Sequence, residues 1–440
     1  MTKIHHGWWI LSGTLISQFV SISIMLMISG VFLEPVVQDL QIEVWQFAFV
    51  VSLSSALGAV SLIIFGPIVD SVGPRRVMVI GALCSAASFI GLSIQSSLFA
   101  LISFHVLCGA FGFTLFGPRI LSPTISKWFI HYRGWALTVG SVGVSFAGII
   151  TPVLMTSVVD SFGWRTGYLV LAAAILLIIL PVSMVMRRQP EDMGLLPDLV
   201  PKDYIDTTKN NLNSALMDDA SRTYTRALAM KTSSFWFVCI GYGFNMAALS
   251  SVVIHGIPFA TDVGFSRTLA SAAFGISGIG NLLSKLLWGW GLSRYDARRL
   301  ASLAFCISGL GVLLLLFSAI GNNVPMLLLG FFLYGFGFGG TIPVGEFLWA
   351  RYFGRRYIAS IRGAGEPFVM TFAMIGPILT GYVFDIHGSY IVAFSMIIVS
   401  YVAGAVIINL SSDPPSLSLI HISEPTRPRL ISYAVFCLKK

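Results

Sequence analysis

Apolar residues in this chain run on for twenty positions and more, break briefly at clusters of Gly, Pro, Asp and Arg, and then resume. A helix needs roughly 20 such residues to cross about 30 Å of hydrocarbon. Twelve runs of that kind are legible, at 8–33, 46–69, 77–95, 98–124, 135–158, 165–186, 234–257, 268–292, 300–320, 325–348, 359–384 and 389–410. Each is read as a helix, because hydrocarbon offers backbone groups no water and the runs are too long and too uniformly apolar for barrel strands. The predicted fold is an all-α polytopic membrane protein with twelve transmembrane helices.

Composition places the chain in the same class. Hydrophobic residues make up 56% of it, charged residues only 10%, and the mean hydropathy is +0.85, which excludes an ordinary soluble domain. The opening MTKIHHGWWI has no small-residue cleavage site behind a short apolar core, so it reads as the anchor of the first span, with Trp8 and Trp9 at the interface. With the N-terminus inside, the inner connections carry Arg75, Arg76, Lys127, Arg133, Arg187, Arg188 and a similar set in the second half, whereas the outer ones carry Arg165 and Arg267. That asymmetry predicts a cytoplasmic N-terminus in a plasma membrane, a bacterial inner membrane being the first choice. The formal charge of +8 then reflects topology rather than a nucleic-acid surface. Cys84, Cys108, Cys239 and Cys306 stand singly in predicted helices, without metal or redox spacing, and read as packing residues.

Landmarks recur at an offset of 223 to 225 residues. Pro35 and Asp39 match Pro258 and Asp262; Gly66, Arg75 and Arg76 match Gly289, Arg298 and Arg299. Phe111-Gly112-Phe113 with Pro118 matches Phe336-Gly337-Phe338 with Pro343, and Asp160 with Gly163 matches Asp385 with Gly388. Their order and spacing predict two six-helix pseudo-repeats lying parallel in the membrane. The expected organisation is an N-terminal half at 1–186, a cytoplasmic linker at 187–233 and a C-terminal half at 234–410. The linker holds much of the soluble acidic charge, including Asp192, Asp203 and Asp218, and is expected to let the halves rock. Residues 417–440 change character. LSLIHISEPTR and ISYAVFCL look like translated sequencing-library adapter ends, so this tail is set apart from the fold. Without Arg427, Arg429, Lys439, Lys440 and Glu424 the formal charge falls from +8 to +5.

The loop after the second span reads Gly66-Pro67-Ile68-Val69-Asp70-Ser71-Val72-Gly73-Pro74-Arg75-Arg76. It resembles the major facilitator signature Gly-x-x-x-Asp-Arg-x-Gly-x-Arg-Arg, with Ser71 in place of the usual cation. Glycine permits close helix approach, Asp70 can pair with a cation or cap the next helix, and the arginines hold the inner face. The second copy, from Gly289 to Arg299, keeps Arg294 but has Ser293 where the acid would stand. Gly66, Asp70, Gly73, Arg75, Arg76, Gly289, Arg294, Arg298 and Arg299 are thus expected to serve conformational change rather than substrate binding. Lys127-Trp128-Phe129 through Arg133-Gly134, the stretch from Pro190 to Asp198, and Gly376-Pro377 through Gly388-Ser389-Tyr390 resemble the monocarboxylate transporter and oxalate/formate exchanger branch, over about residues 5–410.

Ionisable groups inside spans carry the chemical hypothesis, since each costs several kcal/mol unless paired, hydrated or in use. Lys285 lies about 10 Å from the inner end of the eighth span at 1.5 Å per residue. Just before Trp288-Gly289, it resembles a membrane arginine that binds carboxylate in the exchanger; the other reading is a structural ion pair. Glu366 at similar depth either faces Lys285 and couples a proton to anion binding, or pairs locally with Arg362 one turn earlier. Val369 stands where the exchanger has a second cation, which argues against a dianion. Arg119 either snorkels to the inner surface or touches substrate, and Glu346 is expected to pair with Arg119 or Arg351. His255, before Pro258, either gates entry and carries protons or is a hydrogen-bonded interface residue.

The resulting expectation is a secondary active transporter of a small organic anion, a monocarboxylate first, by alternating access with proton symport or exchange for a counter-anion. Its partners are that anion, protons or the counter-anion, and the lipid bilayer, with no nucleic acid. The sequence has no nucleotide-binding loop, no metal-ligand spacing and no catalytic constellation, so no cofactor, metal or enzymatic activity is expected. Two other functions fit the same architecture: an efflux carrier for neutral or amphipathic compounds, and a membrane sensor that does not transport.

Overall fold

The computed structural model describes residues 6–198 and 222–415. Asp203, Asp206, Asp218, Asp219 and the adapter-like tail lie outside them. Every regular element among the described residues is helical. In chain order they are α1 (His6–Ile22), α2 (Ser29–Leu40), α3 (Val44–Val72), α4 (Pro74–Ile94), α5 (Leu98–Phe111), α6 (Pro118–Trp128), α7 (Arg133–Gly140) and α8 (Val142–Val185). After the linker come α9 (Arg226–Met230), α10 (Ser233–Asp262), α11 (Arg267–Leu292), α12 (Ala297–Ser318), α13 (Val324–Phe353), α14 (Ile358–His387) and α15 (Tyr390–Leu410).

Ten stretches are long and apolar enough to cross a membrane. One of them, Arg133–Val185, is 53 residues long and changes direction at Gly163, where φ is 82°. Divided there and taken together with the 26-residue α11, these stretches give twelve long helical segments among the described residues. Three predicted spans are not single α-helices, the fifth being interrupted at Ser141 between α7 and α8. The first passes from α1 through a π-turn at Ser23–Met27 into α2. The fourth stops at Gly112, makes a 3-10 turn over Phe113–Phe116 and restarts at Pro118. Proline at the first helical position suits a restart, because its missing N–H would be unsatisfied there anyway.

The buried apolar side chains form two large clusters. One draws on residues 10–186 with Ala359, the other on residues 224–408. Each bundle is assembled by close helix approach at small residues. Gly112 lies against Ser85 in the first, and Gly337 lies against Ser308 in the second. Similar pairs close the turns on the far side of the bundles: Asp39 pairs with Arg165 at 2.7 Å, and Asp262 accepts from the Tyr390 amide at 3.3 Å. Gly163 and Gly388 take left-handed φ values at the corresponding turns, a conformation that glycine adopts at little steric cost.

His6 contacts the Val185 carbonyl at 2.9 Å, so the chain start and the start of the linker share one end, called here the linker end. Contacts between the bundles run from that end to about mid-depth. Gly66 meets Ala359, Gly363 meets Leu62, Gly134 meets Leu292 and Gly289 meets Trp135. Deeper still, Ser145 donates to Asn281 Oδ1 at 2.7 Å.

A Cβ at Gly335 would stand 1.9 Å from the Ser277 carbonyl oxygen, within the second bundle. Gly335→Ala is therefore expected to lower the thermal unfolding midpoint of the purified protein in detergent, by the roughly 1–3 kcal/mol typical of overpacking. An unchanged midpoint would show that α11 and α13 do not approach so closely.

Candidate functional site

Two charged assemblies lie on the seam between the bundles. The first is at the linker end. The other long helices of the second bundle carry their own N-caps, such as Thr232 for α10, Asp296 for α12 and Asn323 for α13. At the start of α14, Tyr357 makes no side-chain cap, so the first amides of that helix need another acceptor. Asp70, at the end of α3 in the other bundle, supplies it. Its Oδ2 accepts from the Ser360 amide at 2.7 Å and the Ser360 hydroxyl at 2.6 Å, and its Oδ1 accepts from the Ala359 amide at 3.3 Å. Lys127 Nζ on α6 donates to the same Oδ1 at 2.7 Å, with both side chains only 4% exposed. The carboxylate thus meets a helix N-terminus and an ammonium together, both of which favour its charge.

The signature residues divide accordingly. Asp70 caps a helix of the opposite bundle rather than the next helix in its own. Lys127, 57 residues on, supplies the cation that Ser71 does not. Nothing in the spacing of Lys127 pointed to that contact. Gly66 allows it, because a Cβ there would lie 2.5 Å from the Ala359 carbonyl oxygen. Gly73 turns the chain with φ of 86° and packs against Arg188, while Arg75 and Arg76 are exposed. In the second copy Gly289 faces Trp135, Arg294 lies over the Trp290 ring at 5.1 Å, Arg298 pairs with Asp296, and Arg299 is exposed. A cleft of 590 Å³ opens beside the clamp, lined by Asp70, Lys127, Arg188, Glu191, Arg355 and Arg356. Its cations are largely engaged: Arg355 pairs with Glu191 and donates to the Lys127 carbonyl, and Arg188 pairs with Asp192, whose carboxyl it holds below the usual range by hydrogen bonding.

The second assembly lies deeper. Pro118 restarts the helix, so Arg119 sits in the first turn of α6, about 14 Å from its linker end at 1.5 Å per residue. A cation gains nothing from a helix N-terminus and is held there by other means. Arg119 reaches across the seam to Glu366 on α14, between the sulfur atoms of Met25 and Met370. Glu366 also binds Arg362 one turn earlier, and Arg362 Nε donates to Glu346 Oε1 on α13 at 3.1 Å. The result is a ladder of alternating charge, Arg119, Glu366, Arg362, Glu346. Glu366 is 2% exposed, while Arg119 retains 19%.

This geometry decides between the alternatives for Glu366 and Arg119 and corrects those for Glu346 and Lys285. Glu366 does not pair with Lys285; its partners are Arg119 and the local Arg362. Arg119 does not snorkel, because the helix restart aims it at the seam. Glu346 pairs with Arg362 rather than with Arg119 or Arg351. Lys285, 3% exposed, donates to the Gly339 carbonyl at 2.9 Å, and no carboxylate pairs with it among the described residues. It lies one helical turn from both Asn281 and Gly289, each of which touches the first bundle. His255 is half-buried within the second bundle, bonded to the Tyr390 hydroxyl at 3.2 Å and the Pro377 carbonyl at 3.1 Å, and belongs to neither assembly.

Removing one partner of a buried pair costs about 3–5 kcal/mol, so Asp70→Asn should loosen the linker-end clamp. In a background lacking native cysteines, Tyr357→Cys beside the clamp is expected to react faster with a membrane-impermeant thiol reagent once Asp70→Asn is added. Equal rates would show that Asp70 does not hold the seam.

A model of the Major Facilitator Superfamily matches residues 14–251 and 232–438. An MFS-type transporter of Gibberella moniliformis is 28% identical over 34% of this chain, and the alignment spans only 38% of that protein. Monocarboxylate transporter 13 of Rattus norvegicus is 22% identical over 83% of this chain and 79% of its own length. Among solved structures, the human organic anion transporter MFSD10 superposes with a TM-score of 0.68 at 15% identity, covering 93% of this chain and 100% of that one, a likeness of fold. With a family match over more than half its length and an all-helical multi-pass fold, the chain belongs to the Major Facilitator Superfamily.

Proposed function

We propose that this protein is a secondary active transporter that moves a small organic anion, a monocarboxylate in the first instance, by alternating access between its two bundles. The observation that carries the proposal is the bond between Arg119 and Glu366 across the seam. A carboxylate already occupies the guanidinium, and a substrate carboxylate presents the same two oxygens, so one can replace the other without leaving Arg119 uncompensated. The exchange also severs a link between the bundles, which ties anion binding to their relative motion. Lys285, on the strip of α11 between Asn281 and Gly289, supplies a second positive charge near the seam. His255 is assigned to the packing of α10 against α14 and α15.

Monocarboxylate transporter 13 among the similar proteins supports the substrate class. Positive-inside asymmetry puts the linker end and the N-terminus in the cytoplasm of a plasma membrane, with the clamp closed on that side. A bacterial inner membrane is kept as the first choice, MFS-type transporters of Mycobacterium tuberculosis and Bacillus subtilis being among the similar proteins. A second reading, efflux of a neutral or amphipathic compound, is favoured by a cavity of 390 Å³ between α10, α14 and α15, walled by Phe244, Ser251, Phe372, Leu379 and Ile397, and by a fungal efflux protein among the similar proteins.

Uptake of labelled pyruvate and lactate into proteoliposomes, with and without an inward proton gradient, tests the proposal. Arg119→Ala should raise KM about tenfold or more, the worth of a charge-assisted hydrogen bond of roughly 1.5–3 kcal/mol. Lys285→Ala should weaken uptake as well. Wild-type kinetics in the Arg119→Ala protein would remove the carboxylate-swap mechanism.

A further inference from the structure

The ladder has two ends. Arg119 is the end that meets the other bundle. The opposite end is Glu346, and it is incomplete: Oε1 accepts from Arg362, while the buried Oε2 has no hydrogen-bond partner among the described residues. Glu346 is 3% exposed. Beside it the Tyr242 hydroxyl is likewise buried and unpartnered, lying 2.9 Å from where a Cβ on Gly345 would stand. We propose that Glu346 is the proton-carrying carboxyl of the transport cycle, with the proton on Oε2, and that Glu366 is its relay to the substrate cation. This rests on the carboxylate swap at Arg119.

Charge accounting along the ladder gives the coupling. With the ladder intact, two guanidinium groups alternate with two carboxylates. When a substrate carboxylate takes Arg119, Glu366 keeps Arg362, and one guanidinium is left between two buried carboxylates. Two buried anions sharing one cation favour protonation of one of them. Glu366 has been bound by two guanidinium groups, whereas Glu346 has a bare oxygen, so the proton goes to Glu346. Anion and proton then enter together. Release of the anion returns Arg119 to Glu366, restores alternation, and lets the proton leave.

The groups facing Glu346 are consistent with this. From α10 come Tyr242 and Cys239, the latter near the Gly365 carbonyl; from α14 come Arg362 and Glu366; from α6 comes Arg119. On α11, Lys285 bonds to Gly339, about two turns before Glu346 on α13. Tyr352, further along α13, is engaged by the Ser411 hydroxyl, and α12 contributes Ser308 against Gly337. Arg362 is the one cation in the group bonded to Glu346.

Two measurements test the inference. Infrared difference titration of the reconstituted protein should show a protonated carboxyl band that grows as pH falls, is lost in Glu346→Gln and is shifted but kept in Glu346→Asp. In transport, Glu346→Gln should lose proton-driven accumulation of labelled pyruvate while pyruvate counterflow persists. A carboxyl band unchanged in Glu346→Gln, or accumulation still driven by the gradient, overturns the assignment. So does loss of counterflow in a folded Glu346→Gln protein, which would make the residue structural. If the wild type moves no monocarboxylate, the substrate reading falls, and the infrared titration alone decides whether Glu346 holds the proton.

Discussion

Asp70 and Glu366 lie where charge is costly, and each is satisfied from both sides of the seam: Asp70 by Lys127 in its own bundle and the first amides of α14 in the other, Glu366 by Arg362 on its own helix and Arg119 across the seam. That single constraint, a buried carboxylate whose last partners stand on the opposite body, organises the interface. It places Gly66 against α14 so that Asp70 can reach the helix start, and it explains why α14 begins without a cap of its own. It also gives meaning to the break in the fourth span. The restart at Pro118 leaves Arg119 in the first turn of a helix, where the backbone offers a cation nothing, so its charge is satisfied by Glu366.

The duplicated scaffold and the unduplicated chemistry can be separated residue by residue. The Gly112 and Gly337 contacts, the Asp39 and Asp262 ties, and the positive-φ turns at Gly163 and Gly388 occur in pairs. The clamp does not. Asp70 has Ser293 as its counterpart, whose hydroxyl turns back to the Trp290 carbonyl. One acid therefore closes the linker end on one side of the pseudo-repeat, and the opposite side is closed by packing of Gly289 on Trp135.

Most of the spans and the glycine turns were legible in the sequence because hydrophobic length and glycine geometry are local properties. Partner choice was not, since it depends on which faces the two bundles present. The bond between Glu366 and Arg362 follows from helical spacing and was among the alternatives, whereas Arg119 lies 247 residues from Glu366 and nothing local links them. Lys285 shows the same limit. That the Gly339 carbonyl would lie within 2.9 Å of the ammonium depends on the register of α11 on α13. The π-turn at Ser23–Met27, which brings Met25 toward Arg119, had no sequence signal.

The two seam assemblies differ in how they can be undone. Asp70 lies at the linker end beside an open cleft, so as the seam parts it keeps Lys127 in its own bundle while water can hydrate the carboxylate and the α14 amides it leaves. Arg119 and Glu366 lie about 14 Å deeper, between methionine sulfur atoms and apolar helix faces, where separation without replacement leaves Glu366 with Arg362 but Arg119 with no counter-charge. Motion alone can open the first. The second opens at tolerable cost only if another anion takes the guanidinium as Glu366 departs, so the depth of that bond makes ligand binding a condition of conformational change.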